Sequence, residues 1–202
     1  MPYFLVVFAY LVGSVSSAII SCIVLNKVDP RTVGSKNPGA TNVLRYAGKK
    51  AAFFTLVGDV AKGVIPVAMG HALDLDWGWL GIIGLAAFLG HLYPIYYGFK
   101  GGKGVATALG VFLGLQPVIG VVVVISWLIA ALIFNISSLA ALIATLLAPF
   151  YFYWVTGSVN LLIILLVMTA LIYWRHRSNI EEIVAGTEDK IVEKGNKVTE
   201  DQ

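Results

Sequence analysis

Charge is scarce in this chain. Asp, Glu, Lys and Arg make up 12% of its 202 residues, about half the share in an ordinary soluble domain. With 58% hydrophobic residues and a mean hydropathy of +0.86, that scarcity excludes both a soluble globular domain and a disordered chain. Cysteine is nearly missing: Cys22 alone excludes an internal disulfide and a cysteine-rich metal site. Three scattered histidines speak against zinc. Neither a G-x-S-x-G elbow nor an H-E-x-x-H metal pair occurs. The sequence has no internal repeat.

Long apolar runs are what the chain does have. The first, Pro2 to Leu25, has no Lys or Arg before it and no small-residue cleavage site after it, so it reads as a retained span. Further runs cover Ala51–Gly70, Trp79–Tyr97, Val118–Phe134, Leu139–Val155 and Val159–Trp174. Each is long enough, or nearly so, to cross a bilayer. Val105–Leu115 is ambiguous, because at 1.5 Å per residue it reaches roughly 16 Å, about half a hydrocarbon core.

The placement of charge resolves that ambiguity. The formal net charge of +3 is small, but its distribution is uneven. Lys27, Arg31, Lys36, Arg45, Lys49 and Lys50 follow the first run, against Asp29 alone. The next connection holds Asp74 and Asp76 with no Lys or Arg, the one after it holds Lys100 and Lys103, and Arg175 and Arg177 follow the last run. Basic short loops face the cytoplasm. An even number of crossings must therefore separate Lys103 from Arg175, so Val105–Leu115 is the extra one, with Gly101–Gly104 entering the membrane. The expectation is an all-α, polytopic integral membrane protein with seven transmembrane helices, N-terminus outside and C-terminus cytoplasmic. Residues 1–188 form the membrane domain. A polar cytoplasmic tail, residues 189–202, follows a short helix that begins near Asn179.

Three polar clusters fall on that one side. In Gly34-Ser35-Lys36-Asn37-Pro38-Gly39-Ala40-Thr41-Asn42, turn formers lead into a short helix that Thr41 or Asn42 can cap, with Arg45 a turn later. Free N–H groups and an Arg fork suit a phosphate; a basic surface loop that only fixes orientation is the other reading. Gly98-Phe99-Lys100-Gly101-Gly102-Lys103-Gly104 resembles a phosphate loop but departs from the Walker pattern, since Gly104 follows the lysine. Glycines around a lysine still let the backbone close on an anion, and this reading is preferred to a flexible turn. His176 and Asn179, three apart, can share a helix face behind the anchoring Arg175 and Arg177. Ser137 and Ser138 read as helix caps. Inside the spans, Asp59 and Lys62 form an expected ion pair, Gly110 and Gly114 suit close helix contact, and His91 either orients a loop or touches substrate. His71 and Asp76 repeat the H-x4-D spacing of common glycerolipid acyltransferases. They sit in the expected external loop, and the match is taken as chance.

Taken in order, several of these segments resemble the bacterial membrane acyl-phosphate:glycerol-3-phosphate acyltransferases. They are the Gly34–Asn42 stretch, Gly58-Asp59-Val60-Ala61-Lys62-Gly63, Gly90-His91-Leu92-Tyr93-Pro94, Phe99 to Thr107, Arg175-His176-Arg177-x-Asn179-Ile180 and Gly186-Thr187-Glu188. The resemblance covers about Gly13 to Glu188; position 178 is Ser where the family often has an acidic residue. It implies seven spans in the bacterial inner (plasma) membrane and an active site facing the cytoplasm. The implied reaction moves an acyl group from acyl phosphate to glycerol 3-phosphate, giving lysophosphatidic acid. It requires no cofactor, metal, nucleic acid or direct acyl carrier protein. With the clusters on that side taken together, the candidate catalytic residues are Arg45, Lys103, Ser138, His176 and Asn179. The candidate binding residues are Ser35, Asn37, Thr41, Asn42, His91, Gly101, Gly102, Gly104 and Thr107. The hydroxyl proton passes either to a substrate phosphate oxygen or to His176.

Two other classes compete. An anion transporter would use Asp59, Lys62 and His91 within the spans, but the chain lacks a transporter's repeat and its polar motifs share one side. A lipid phosphotransferase with a nucleotide-activated donor would need a metal-binding Asp cluster, and the acids within the spans and the cytoplasmic loops are only Asp29 and Asp59.

Overall fold

The computed structural model describes residues 1–191; the rest of the expected tail, 192–202, lies outside the described residues. Among the described residues the chain is all-helical, with no strand. The elements in order are α1 (Pro2–Gly13), α2 (Ser17–Val24), α3 (Ala40–Ala47), α4 (Lys49–His71), α5 (Trp77–Leu92), a 3-10 turn (Ile95–Tyr97), α6 (Val105–Leu115), α7 (Pro117–Phe134), α8 (Ser137–Thr156), α9 (Val159–Arg175) and α10 (Arg177–Ala185). Among the described residues, four stretches are long and apolar enough to cross a membrane: Lys49–His71, Trp77–Tyr97, Pro117–Phe134 and Ser137–Thr156. The number rises to six if the bent pairs α1–α2 and α9–α10 each count as one span.

The apolar runs thus became helices close to their expected limits, with one correction. Pro2–Leu25 is not a single rod: α1 and α2 meet at a 43° bend. The break has local causes. The Ser16 hydroxyl accepts from the Ile19 N–H at 3.4 Å and caps α2, while the Ser14 hydroxyl donates to the Tyr10 carbonyl. The Val15 carbonyl is left for the Lys62 ammonium, which donates to it at 2.9 Å.

Close packing fixes the direction of the helices. A Cβ added at Gly13 would lie 2.1 Å from the Ala87 carbonyl oxygen, and one at Gly90 would lie 2.3 Å from that of Tyr10. The rings of Tyr3 and Trp79 touch at the other end. So α1 and α5 run parallel, backbone against backbone. The same holds for α4 and α6, where Gly63 abuts the Thr107 carbonyl, Gly110 the Val60 carbonyl and Gly114 the Val64–Val67 segment. Gly110 and Gly114 therefore do allow the close helix contact expected of them. Because α6 pairs with the later part of α4, it starts partway along that helix and not level with Lys49. The chain linking α5 to α6 must fold back into the bundle to reach that start. A continuous core that includes Phe88, Phe112, Phe152, Leu165 and Met168 fills the space between α5, α6, α8 and α9.

Candidate active site

The polar loop before α3 folds around Asn42. Its amide donates to the Pro30 carbonyl at 2.9 Å and to that of Val33 at 3.2 Å, and its Oδ1 accepts the Ser35 N–H at 3.2 Å. With its side chain so engaged and buried, Asn42 does not cap α3, nor does Thr41. The helix begins at Ala40 behind Gly39, without a side-chain cap. The expected cap is corrected for that reason. Thr41 and Arg45 stay exposed one turn apart on α3, Ser35 is exposed, and Asn37 is half-buried.

The glycine loop is fastened on both sides. The Gly101 and Gly102 N–H groups donate to the carbonyls of Leu92 and His91, each at 3.2 Å. The carbonyls of the same two glycines accept from the Arg175 guanidinium, at 2.7 Å for Gly101 and 3.1 Å for Gly102. These two N–H groups are thus occupied by α5 and do not themselves line an anion cradle. The donors left for an anion are the Lys103 ammonium and the opening turn of α6, Val105 to Thr107, whose N–H groups have no helix partner. Gly104 precedes that turn with φ +90°, and a Cβ there would lie 2.3 Å from the Phe88 ring, so glycine is required twice over. The Thr107 hydroxyl is buried without a hydrogen-bond partner among the described residues.

Four elements then meet. Lys103 Nζ donates to Asn179 Oδ1. Asn179 Nδ2 donates to Glu188 at 2.8 and 3.0 Å, and the Ser138 hydroxyl donates to the same carboxylate at 2.5 Å. One residue on, Asp189 pairs with Arg45. Arg45 of α3, Lys103 of the glycine loop, Ser138 of α8 and Asn179 of α10 are thereby linked through two adjacent carboxylates. Ser138 is not a helix cap: α8 starts at Ser137 behind Ile136 with no side-chain cap, and the Ser138 hydroxyl turns to Glu188 instead. His176 is buried at the joint between α9 and α10, where its Nδ1–H donates to the Ile172 carbonyl at 2.8 Å. That bond fixes the tautomer, with the proton on Nδ1.

Electrostatics follow this crowding. Burial, helped by the charges of Lys103 and Arg175, lowers the imidazole of His176 to about 4 despite the Ile172 bond and the Glu188 charge. Burial alone would raise Glu188, but hydrogen bonding with Glu182, Ser138 and Asn179 and the charge of Lys103 hold its carboxyl below the usual range.

The remaining candidates sit beneath the loop. His91 is buried and lines a small cavity with Ser14, Lys62, Gly101 and Gly102. Asp59 and Lys62 do pair, at 2.8 Å. His71 and Asp76 are occupied elsewhere. His71 Nε2–H donates to the Leu115 carbonyl at 3.0 Å, tying the end of α4 to that of α6. Asp76 caps α5 by accepting from Gly78 and Trp79 N–H at 2.8 and 3.1 Å.

Sequence reasoning missed two parts of this site. Arg175 reads as a topology anchor, and nothing in its spacing says that its fork holds two carbonyls. Glu188 was visible only as part of a terminal motif, and Asp189 was assigned to the tail.

A helical membrane protein with a cluster of cationic and polar side chains at one end of its bundle is the class these features define. The family model of glycerol-3-phosphate acyltransferase matches residues 3–186. The glycerol-3-phosphate acyltransferase of Thioalkalivibrio sulfidiphilus is 54% identical over 96% of this chain and 94% of its own, and that of Methylococcus capsulatus is 48% identical over 95% and 96%. Crystal structures of PlsY (YgiH), an integral membrane glycerol 3-phosphate acyltransferase, superpose with a TM-score of 0.87. In its glycerol 3-phosphate form that protein is 41% identical over 94% of both chains, and it is also known in a lysophosphatidic acid form. The chain belongs to the glycerol-3-phosphate acyltransferase family, and it is an integral membrane acyltransferase whose place in phospholipid synthesis follows from that family.

Proposed function

We propose that this protein transfers an acyl group from acyl phosphate to glycerol 3-phosphate, releasing inorganic phosphate and 1-acyl-glycerol 3-phosphate, the lysophosphatidic acid. The observation that carries this reading is the meeting of Arg45, Lys103, Ser138 and Asn179 around Glu188 and Asp189. Two cations from separate elements, Arg45 now paired with Asp189 and Lys103 held by Asn179 beside Glu188, suit a phosphate that takes the place of those partners. Arg45 and Lys103 hold the phosphates, with Ser35, Asn37 and Thr41 at the rim. Gly101, Gly102 and Gly104 set the loop, and the start of α6, with Thr107, adds N–H donors. Asn42 contributes by shaping its loop.

Acyl phosphate is a mixed anhydride with a good leaving group. The glycerol 3-phosphate hydroxyl oxygen attacks the acyl carbonyl carbon and forms the new C–O bond. The bond from that carbon to the bridging oxygen breaks, and its electron pair leaves with phosphate. The hydroxyl proton goes to a phosphate oxygen. No covalent enzyme intermediate is required, and the protein's task is to hold two anions close and aligned. An imidazole lowered to about 4 is a weak base, which favours the substrate phosphate as proton acceptor and gives His176 an orienting role.

Seven crossings complete the reading, with α1–α2 as the first, α6 plus its in-folded loop as the fourth and α9 as the last. The N-terminus is outside, and the active site and C-terminus face the cytoplasm of the bacterial inner membrane. Residues 1–188 are the catalytic domain, and the tail from 189 begins with the Asp189 contact.

Purified protein in detergent, given both substrates, should release phosphate only when both are present, without acyl carrier protein and unaffected by chelator. Full activity on acyl-CoA alone, or its loss to a chelator, would sink the assignment of the donor.

A further inference from the structure

An ionic cluster lies under the glycine loop, inside the bundle and apart from the cation cluster. Asp59 and Lys62 from α4 and His91 from α5 are 2%, 5% and 7% exposed. Lys62 Nζ lies 2.8 Å from Asp59 Oδ1 and donates to the Val15 carbonyl at the α1–α2 break. His91 Nδ1 lies 3.7 Å from the same carboxylate oxygen. Charges in a membrane interior are costly, and a pair that only held helices together could be replaced by packed apolar residues.

The ring of His91 touches the loop directly. A Cβ built on Gly102 would meet Nε2 at 2.2 Å, Cε1 at 2.9 Å and Cδ2 at 3.2 Å, so its three nearest neighbours are all atoms of that ring. A Cβ on Gly101 meets backbone instead, at 2.0 Å from the His91 carbonyl oxygen. One face of the loop therefore rests on an imidazole, and the imidazole is bounded on its far side by Asp59, itself held by Lys62. Lys103 and the start of α6 follow within a few residues.

We infer that Asp59, Lys62 and His91 are positioning residues for acyl transfer: they form a rigid floor that sets the depth of the Gly101–Gly104 loop, and through it the place of Lys103 and of the α6 N–H donors. None of the three touches substrate. This inference rests on the phosphate-binding role given above to Lys103.

Removing the ring should relieve a bump. Gly102→Ala should raise KM for glycerol 3-phosphate and lower kcat/KM at least a hundredfold. His91→Ala should lose about tenfold, mostly in KM. In the His91→Ala background, adding Gly102→Ala should cost less than threefold, because the methyl group occupies the space the ring left. Gly101→Ala, whose methyl strikes backbone, should be equally damaging in both backgrounds. His91→Ser serves as a second hole should His91→Ala fold poorly, with thermal unfolding in detergent as the control. The neutral pair Asp59→Asn/Lys62→Gln should keep its unfolding midpoint within a few degrees, raise KM about tenfold and leave kcat within threefold. A Gly102→Ala penalty of the same size with and without the ring, or a neutral pair with unchanged KM, would overturn the inference. Lys103→Ala separates the two readings: normal acceptor kinetics there would refute the phosphate site itself, whatever the glycine variants do.

Discussion

The two ends of the bundle use polar residues in opposite ways. At one end, His71 and Asp76 close their hydrogen bonds on nearby backbone, the Leu115 carbonyl and the first turn of α5. At the other, Arg45, Lys103, Ser138 and Asn179 come together across more than a hundred residues and satisfy one another through Glu188 and Asp189. Bonds to backbone at a helix end are structure, and an anion would have to break them. Side-chain contacts among cations, an amide and carboxylates can be exchanged for a phosphate without undoing a helix end. A sequence motif cannot tell these situations apart, and H-x4-D at the first end is as good a pattern as any at the second.

The largest expected losses lie at the cation end. Charge-assisted hydrogen bonds contribute roughly 1.5–3 kcal/mol, so Arg45→Ala and Lys103→Ala should each lower kcat/KM by about ten- to a hundredfold or more in steady-state assays at limiting glycerol 3-phosphate. Arg45→Lys should rescue only in part, since Lys cannot form the bidentate fork. Next comes Arg175→Lys, which keeps the charge but loses one of two bonds to the loop carbonyls. About tenfold in KM is expected, and wild-type KM would mean that the loop holds its place without the fork.

His176 sharpens the comparison through pH. Its folded value is about 4 against 6.5 for the free side chain, with burial as the main cause. Between those values the unfolded chain binds more protons than the folded one, so stability should rise with pH across that window and level off above it. Thermal unfolding from pH 4 to 8 checks this. In kinetics, an acidic limb set by the substrate's second phosphate ionisation, about pH 6, should persist in His176→Asn. A limb that moves with the substitution would make His176 the base.

The smallest effects belong at the other end. His71→Ala and Asp76→Ala should leave turnover within a few-fold, and loss of the Asp76 cap should cost about 1 kcal/mol of stability in denaturation. A loss of about 10²–10⁴-fold at His71, the size of a general base, in folded protein would erase the distinction between the ends. Lys49→Ala and Lys50→Ala, exposed at the start of α4, should matter least of all.

Much of the fold was legible because hydropathy and helix length are set by the same bilayer. Ala51–Gly70 became α4 and Val159–Trp174 became α9 with small changes at their ends. The α1–α2 bend was not legible, because it depends on Ser16 as a cap and on a lysine forty-seven positions away that takes the Val15 carbonyl. The Asp59–Lys62 pair follows from a spacing of three on one helix. Its neighbour His91 does not, since packing of α4 on α5 brings it there. Asn42 shows the same limit within the candidate site: a residue fit to cap a helix folds its own loop instead. Arg175 and Glu188 act through partners far along the chain, and no local pattern encodes such meetings.

The central claim is that Arg45, on α3, and Lys103, in the glycine loop, grip one dianion. A double-mutant cycle on glycerol 3-phosphate affinity tests it most directly, with Arg45→Ala, Lys103→Ala and the double variant measured beside the parent by calorimetry in one detergent. A shared site predicts non-additive losses, with a coupling of about 1 kcal/mol or more. Losses that add to within about 0.3–0.5 kcal/mol, or single variants that bind as the parent does, would contradict the shared grip and leave α3 and the glycine loop as independent parts of the scaffold.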